Sequence, residues 1–358
     1  MKILMITRPN LYISPGGDTV QVEMTAKYLR KLKVSVTIGL SNHCFKYDDY
    51  DIIHFFNIIR PDDILPHIKH KVPFVVSTIF VDYSEYENLK GRFIFRIFSL
   101  GQIEYIKSIA RWIINGDKIK SNYFLFHGQK KSIKKIISKA SMLLPNSKHE
   151  YLRLVKYIGD VRVPYRKIVN AIDDKIFNYK NSEITDFKDT IICVGRIEGL
   201  KNQLNLIKAL KNTNLSVLII GKPSPNHIKY YNKCRKEAQG FQNICFIEHI
   251  SHEKLVNIYK SAKVHVLPSW FETTGLSSLE AGAMGCNIVI TKKGDTEEYF
   301  KDMAFYCEPD DVNSIKETVL KAYYEPINPK LREYILKNYI WEITAQKTLS
   351  AYNEILKK

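Results

Sequence analysis

Two carboxylates eight residues apart open the question of chemistry: Glu272 and Glu280 in PSWFETTGLSSLEAGAMG, residues 268–285. The preceding VHVLPSWFE reads as a strand running into a loop, and TTGLSSLEAGAMG as a helix beginning near Thr274. Glu272 then sits just before the helix, and Glu280 about two turns into it. The amides around Thr274, Gly275 and Leu276 would be first-turn N–H groups, which have no acceptor within the helix and favour an anion such as phosphate. A carboxylate placed there could equally be plain compensation of the helix dipole. Ala281, Gly282, Ala283 and Gly285 are small enough for close packing.

Two cations stand at a second strand-to-helix turn. In VGRIEGLKNQLNLIKAL, Arg196 and Lys201 flank a glycine before the helical run Leu204, Ile207 and Leu210. Arg supplies forked hydrogen bonds and Lys a point charge, a pair suited to a diphosphate, although solvated surface residues would look the same. Near the start, SPGGDTVQVEMTAKYLRKL places Gly16 and Gly17 before a helical run of Val20, Met24, Tyr28 and Leu32, with Asp18 or Thr19 as the expected cap. Paired glycines let backbone approach an anion closely, yet the stretch is neither G-x-G-x-x-G nor a P-loop sequence.

These loops need strands to hold them. Short β-branched runs alternate with amphipathic segments throughout: KILMIT, VSVTIGL, YDIIHFF, VPFVVSTI, ASMLLPN and RKIVNAI, then TIICVGR, SVLIIGK, NICFIEH, VHVLPS, CNIVIT and AFYCEP. Alternation of this kind argues for two parallel sheets covered by helices, an α/β class with two doubly wound domains in tandem. The domains are expected over 1–175 and 188–335, joined by the polar, aperiodic DDKIFNYKNSEITDFKD at 173–189, with 336–358 a terminal helix that could pack on either. Ligands of open α/β sheets lie outside the carboxyl ends of the strands, where all three segments above fall.

At 358 residues the chain is long enough for two cores. Residues 1–170 carry 28 Lys+Arg against 14 Asp+Glu, whereas the rest carries 26 against 23, so nearly all of the net charge of +17 belongs to the first half. No uncharged run reaches the roughly 18 residues of a spanning helix, and the start reads as a buried strand rather than a signal peptide. Cys44, Cys193, Cys234, Cys245, Cys286 and Cys307 are scattered without a C-x-x-C pair, which suits buried thiols in a reducing cytosol.

In order along the chain, these segments resemble the retaining glycosyltransferases of family 4, also called glycosyltransferase group 1. ETTGLSSLE resembles the family's E-x7-E motif, GRIEGLKNQ its donor-phosphate segment, VPYRKIVNAIDDKIF its inter-domain segment, SHEKLVNIYKSAKVHVLPS the lead into E-x7-E, and KKGDTEEYF a following glycine turn. The likeness is nearly continuous from about 165 to 310. In the first half it rests on Gly16-Gly17 and YDIIHFF. It implies the GT-B fold, two facing Rossmann-like doubly wound domains with a C-terminal helix that can cross back.

The resemblance also implies roles. Arg196 and Lys201, with the amides at Gly17, Gly275 and Leu276, would neutralise the diphosphate of a nucleotide sugar. Glu272 would contact the donor sugar, and Glu280 the ribose hydroxyls. Transfer would be retaining and would need no metal or cofactor, since D-x-D is missing from the matched donor segments; the β-phosphate would take the acceptor proton. Where the family often has a histidine after the fourth strand, this chain reads VSTIFVDYSEYE, so Asp82, Glu85 or neither fills that place. His54 matches a position where the family often has histidine, but a satisfied interior histidine explains it as well. His249 replaces a common glycine, which leaves the base open between UDP and GDP donors.

Between Arg92 and Lys139, basic residues interleave with aromatic ones, a pattern that fits an anionic membrane surface as well as an apolar face packed on a sheet. The expected acceptor is a glycan, free or lipid-linked, in surface polysaccharide or lipopolysaccharide synthesis, and the expected location cytoplasmic or peripheral on the inner membrane face. The competing readings are a degenerate relative that binds donor without transfer, and a basic binding module. Nucleic acid is not the expected partner, because no zinc spacing, RNP-like or helix-turn-helix pattern occurs.

Overall fold

The structure is a computed structural model that describes residues 1–13, 15–81, 102, 105–106, 119–248 and 250–357. Asp82, Glu85, His249 and much of the basic, aromatic stretch after Arg92 lie outside the described residues. The chain divides into one unit of Met1–Asn170 with Trp341–Lys358, and another of Ala171–Ile340.

The first unit holds a parallel sheet of β1 (Lys2–Thr7), β2 (Ser35–Leu40), β3 (Ile52–Phe56), β4 (Phe74–Ser77) and β5 (Met142–Leu143), in the order β2-β1-β3-β4-β5. Its central strands are buried along their length, as parallel strands covered on both faces must be. Leu4, Ile6, Phe55 and Val76 meet Phe124, Ile133 and Ile136 of the helix Asn122–Lys139 in one core. Each such side chain contributes roughly 1.5–3 kcal/mol by leaving water.

The helix after β1 runs Gly17–Lys31 and is capped by Gly16, one turn earlier than the expected Asp18 or Thr19. Gly16 N donates to Thr19 Oγ1 at 3.0 Å. Its buried residues include Val22, Thr25, Ala26, Tyr28 and Leu29; of the stripe read in the sequence Tyr28 is buried, Met24 and Leu32 are half-buried, and Val20 is exposed. The terminal helix Trp341–Leu356 belongs to this unit. Thr344 Oγ1 donates to Val169 O at 3.0 Å, Arg166 pairs with Glu354 at 2.7 Å, and Tyr352 Oη lies 2.6 Å from His54 Nδ1. His54 Nε2 lies 2.8 Å from Ser77 Oγ, and burial holds its pKa down at about 3. It is a satisfied neutral interior histidine.

The second unit has a parallel sheet of β6 (Ile191–Val194), β7 (Val217–Ile220), β8 (Ile244–Ile247), β9 (Val264–Leu267), β10 (Asn287–Thr291) and β11 (Phe305–Cys307), in the order β11-β10-β9-β6-β7-β8. Chain order reverses at β6, which pairs with β7 on one side and β9 on the other. That reversal is the dinucleotide-binding arrangement, and it opens a crevice outside the carboxyl ends of β6 and β9. The six cysteines are unbridged, and burial pushes the Cys193 thiol up to about 12. RKIVNAI, expected as a strand, makes a single isolated bridge, Ile172 with Ile340.

Candidate active site at the strand-order reversal of the second unit

The loops leaving β6 and β9 carry the cation and the first carboxylate, and they meet. Lys201 Nζ lies 2.6 Å from Glu272 Oε2, with the two side chains 20% and 10% exposed. Ser269 Oγ donates to the same oxygen at 3.2 Å. A lysine presents three donors, so its ammonium can hold Glu272 and still face an anion.

Backbone contacts fix Glu272 from the side of β10. Its N–H donates to Lys293 O at 2.9 Å, and its carbonyl accepts from Asp295 N at 3.0 Å, a parallel bridge centred on Gly294. Gly294 has φ +112, and a Cβ there would fall 2.1 Å from Glu272 O. The KKGDTEEYF turn therefore serves to let backbone close on Glu272.

Helix Leu276–Ala283 starts immediately beyond. Its cap, Gly275, is left-handed at φ 68, ψ 60; a Cβ there would meet Ile290 Cδ1 at 2.9 Å and Glu272 Cγ at 3.5 Å. Thr274 is buried, and Leu276 is the first helical residue. The opening amides of this helix thus lie next to Glu272, where first-turn N–H groups have no acceptor within the helix. Within the first turn, Ser278 Oγ lies 3.2 Å from Nδ1 of the fully buried His265, whose pKa burial lowers to about 3.

Glu280, just over one turn along because the helix starts at Leu276 rather than near Thr274, accepts from Tyr259 Oη at 3.3 Å through Oε2. Burial raises its carboxyl from 4.5 to about 8, and the Tyr259 hydrogen bond opposes that rise in part. Glu280 is thus an acid with a reduced tendency to ionise, and further hydrogen-bond donors at its carboxyl would favour the charged form.

Arg196 is not brought onto the Lys201–Glu272 pair. Its side chain is 54% exposed and pairs with Glu198 at 3.3 Å. Gly16 and Gly17 belong to the first unit, at the exit of β1. There Asp18 takes two bonds from Arg8, at 2.5 and 3.0 Å, and one from Thr19 N, so that helix start already carries a compensated acid. Sequence reasoning missed Ser269, Tyr259, His265 and Asn202, which support the pair and Glu280 from behind. The signal available for Asn202 was a turn-forming residue between Lys201 and a helical run.

Comparison with known proteins follows this geometry. Residues 174–339 match the family Glycosyl transferases group 1. The uncharacterized glycosyltransferase MJ1607 of Methanocaldococcus jannaschii is 26% identical over 210 residues, 55% of this chain and 53% of the relative. The O-antigen chain mannosyltransferase B of Escherichia coli is 27% identical over 116 residues, 30% of each chain. The chain thus spans about half the length, or less, of these relatives. Among solved structures, Anabaena Alr3699/HepE in complex with UDP and glucose aligns over 99% of this chain and 100% of its own, with a TM-score of 0.68 at 12% identity, a likeness of fold alone. The fold is GT-B, as the motif order implied, and residues 174–339, a little under half of the chain, are similar to the glycosyl transferases group 1 family.

Proposed function

We propose that this protein is a retaining, metal-independent glycosyltransferase that moves a hexosyl group from a UDP- or GDP-linked sugar to a glycan acceptor carried on a lipid, in surface polysaccharide or lipopolysaccharide synthesis. The observation that carries the reading is the Lys201–Glu272 pair, 2.6 Å apart at the strand-order reversal and beside the start of helix Leu276–Ala283. Complexes of Anabaena Alr3699/HepE with UDP and glucose, and the mannosyltransferase activity in the name of the Escherichia coli relative, support the substrate class.

In the reaction, the bond from the sugar's anomeric carbon to the β-phosphate oxygen breaks and a bond to the acceptor oxygen forms on the same face. The acceptor proton passes to the departing phosphate. Negative charge grows on that phosphate in the transition state, so Lys201, Arg196 and the amides of Gly275 and Leu276 stabilise it more than they stabilise the bound donor. Glu272 orients the sugar hydroxyls, and Glu280, once ionised, accepts from the ribose.

The first unit supports a membrane-facing location at the cytoplasmic side. Helix Asn122–Lys139, interrupted at Gly128 (φ 69, ψ −172), buries Phe124, Ile133, Ile136 and Ile137; Lys130, Lys131, Lys134 and Lys139 beyond the interruption are exposed, and Phe126 before it is 79% exposed. Exposed basic side chains and an exposed aromatic in one segment fit an anionic lipid surface. Among the described residues no helix is long and apolar enough to cross a membrane.

The test is turnover of UDP- and GDP-sugars by the full chain, with and without EDTA. Expected is release of one nucleoside diphosphate, insensitive to EDTA and lowered about 100-fold or more by Lys201→Met or Glu272→Gln. Binding without turnover would instead identify a degenerate relative, and the absence of nucleotide binding at millimolar levels would overturn the donor site altogether.

A further inference from the structure

The side chain of Asn202 joins the loop that carries Lys201 to two other strand exits. Asn202 sits at φ 61, ψ 30, in the left-handed region that glycine occupies without strain. It is 4% exposed. Its Nδ2 donates to Pro268 O at 3.0 Å and to Pro309 O at 2.6 Å. Pro268 follows β9 and Pro309 lies just beyond β11, so one carboxamide ties the exits of three strands. Both partners are carbonyl oxygens, which fixes the amide orientation and uses both of its hydrogens. On the other side of Lys201, Trp270 N donates to Leu200 O at 2.9 Å. Residues 200 and 202 are thereby both fastened to the neighbourhood of the loop bearing Glu272.

We infer that Asn202 is the positioning residue of this site, its carboxamide setting the backbone of Lys201 against the β9 loop and so fixing where the ammonium meets Glu272 and a bound diphosphate. The catalytic part of the inference rests on the donor reading above. Lysine has a long flexible stem, and a contact of 2.6 Å is held only if the origin of that stem is fixed. Asparagine alone combines the two requirements: glycine would take the backbone angle without the tie, and aspartate would turn an oxygen toward two carbonyl oxygens.

Asn202→Gly and Asn202→Asp in the full chain test this. Glycine suits φ 61, so the first variant is expected to fold. The decisive readout needs no substrate: the non-additivity of the melting-temperature shifts of Lys201→Met and Glu272→Gln, measured in the Asn202 background and in the Asn202→Gly background. Expected is clear non-additivity in the first and additive shifts in the second. Asn205→Ala is the control; Asn205 Nδ2 also donates to Pro309 O, at 3.0 Å, but makes no tie to Pro268, so the non-additivity should survive it. With UDP-glucose or GDP-mannose, whichever the wild type turns over, Asn202→Gly should lower kcat about 100-fold while the donor KM changes little. Persistent coupling in the Asn202→Gly background would overturn the inference. If the wild type binds no nucleotide, the donor reading falls, and the coupling measurement still decides the role of Asn202.

Discussion

Replacing Glu280 with Gln should make the protein more stable, by an amount that depends on pH. The carboxyl moves from 4.5 in the unfolded chain to about 8 in the fold because its charged form is buried. Between those values the folded state keeps a proton that the unfolded chain has released, so wild-type stability falls as pH rises through this interval and levels off above about 8. At about 1.4 kcal/mol per pH unit the ceiling is about 5 kcal/mol. Glu280 keeps part of its surface in water, which reduces the expectation to about 1–3 kcal/mol. Glutamine carries no charge at any pH, and its carbonyl can still accept from Tyr259. Melting curves of both proteins from about pH 5 to about pH 9 should therefore coincide at the acid end and separate by about 3–8 °C at the alkaline end, with the variant higher. Parallel curves, or a variant that loses ground as pH rises, would refute the reasoning. The same substitution should weaken nucleotide binding about 10-fold or more by removing a charge-assisted acceptor.

Other outcomes follow from single contacts. Gly294→Ala should cost at least about 2 kcal/mol in chemical denaturation, because its Cβ would enter the Glu272 carbonyl at 2.1 Å, and donor turnover should fall with it. Tyr352→Phe strands a buried nitrogen of His54; it should cost about 1–3 kcal/mol and leave the donor KM unchanged, read by urea melts beside kinetics. Charge reversal at Lys130, Lys131 and Lys134 with Phe126→Ser should abolish co-flotation with phosphatidylglycerol vesicles, while wild-type co-flotation should weaken with salt. Equal recovery of both proteins would remove the membrane assignment.

Much of the fold was legible because parallel strands covered on both faces are written as continuous apolar runs: IIHFF, VLII and NIVIT read directly as strands. RKIVNAI carries the same composition and is no strand, since pairing depends on a neighbour that composition does not specify. Glu272, Glu280 and Lys201 were legible from residue type and spacing. Their supports were not. Ser269, Tyr259 and Asn202 act through contacts such as Tyr259 with Glu280, 21 residues apart, or Asn202 with Pro309, 107 apart, which no local pattern encodes. Arg196 shows the converse limit: its type and position suit a diphosphate, yet it bonds its near neighbour Glu198.

The return of Trp341–Lys358 to the first unit also sets an order of assembly. The second unit is one uninterrupted stretch, Ala171–Ile340, whose sheet closes without help from either end of the chain. The first unit must wait, because His54 meets Tyr352 across 298 residues and Val169 meets Thr344 across 175. On a ribosome the second unit's sheet would be complete while the first unit still lacked a wall, and contacts of such long sequence separation close slowly. A chain stopped before Trp341 would keep every bond described around Lys201 and Glu272 and lose those that seal the interior of the other half. Damage in Trp341–Lys358 would thus be felt first among residues before Asn170 rather than in the unit that precedes it in sequence.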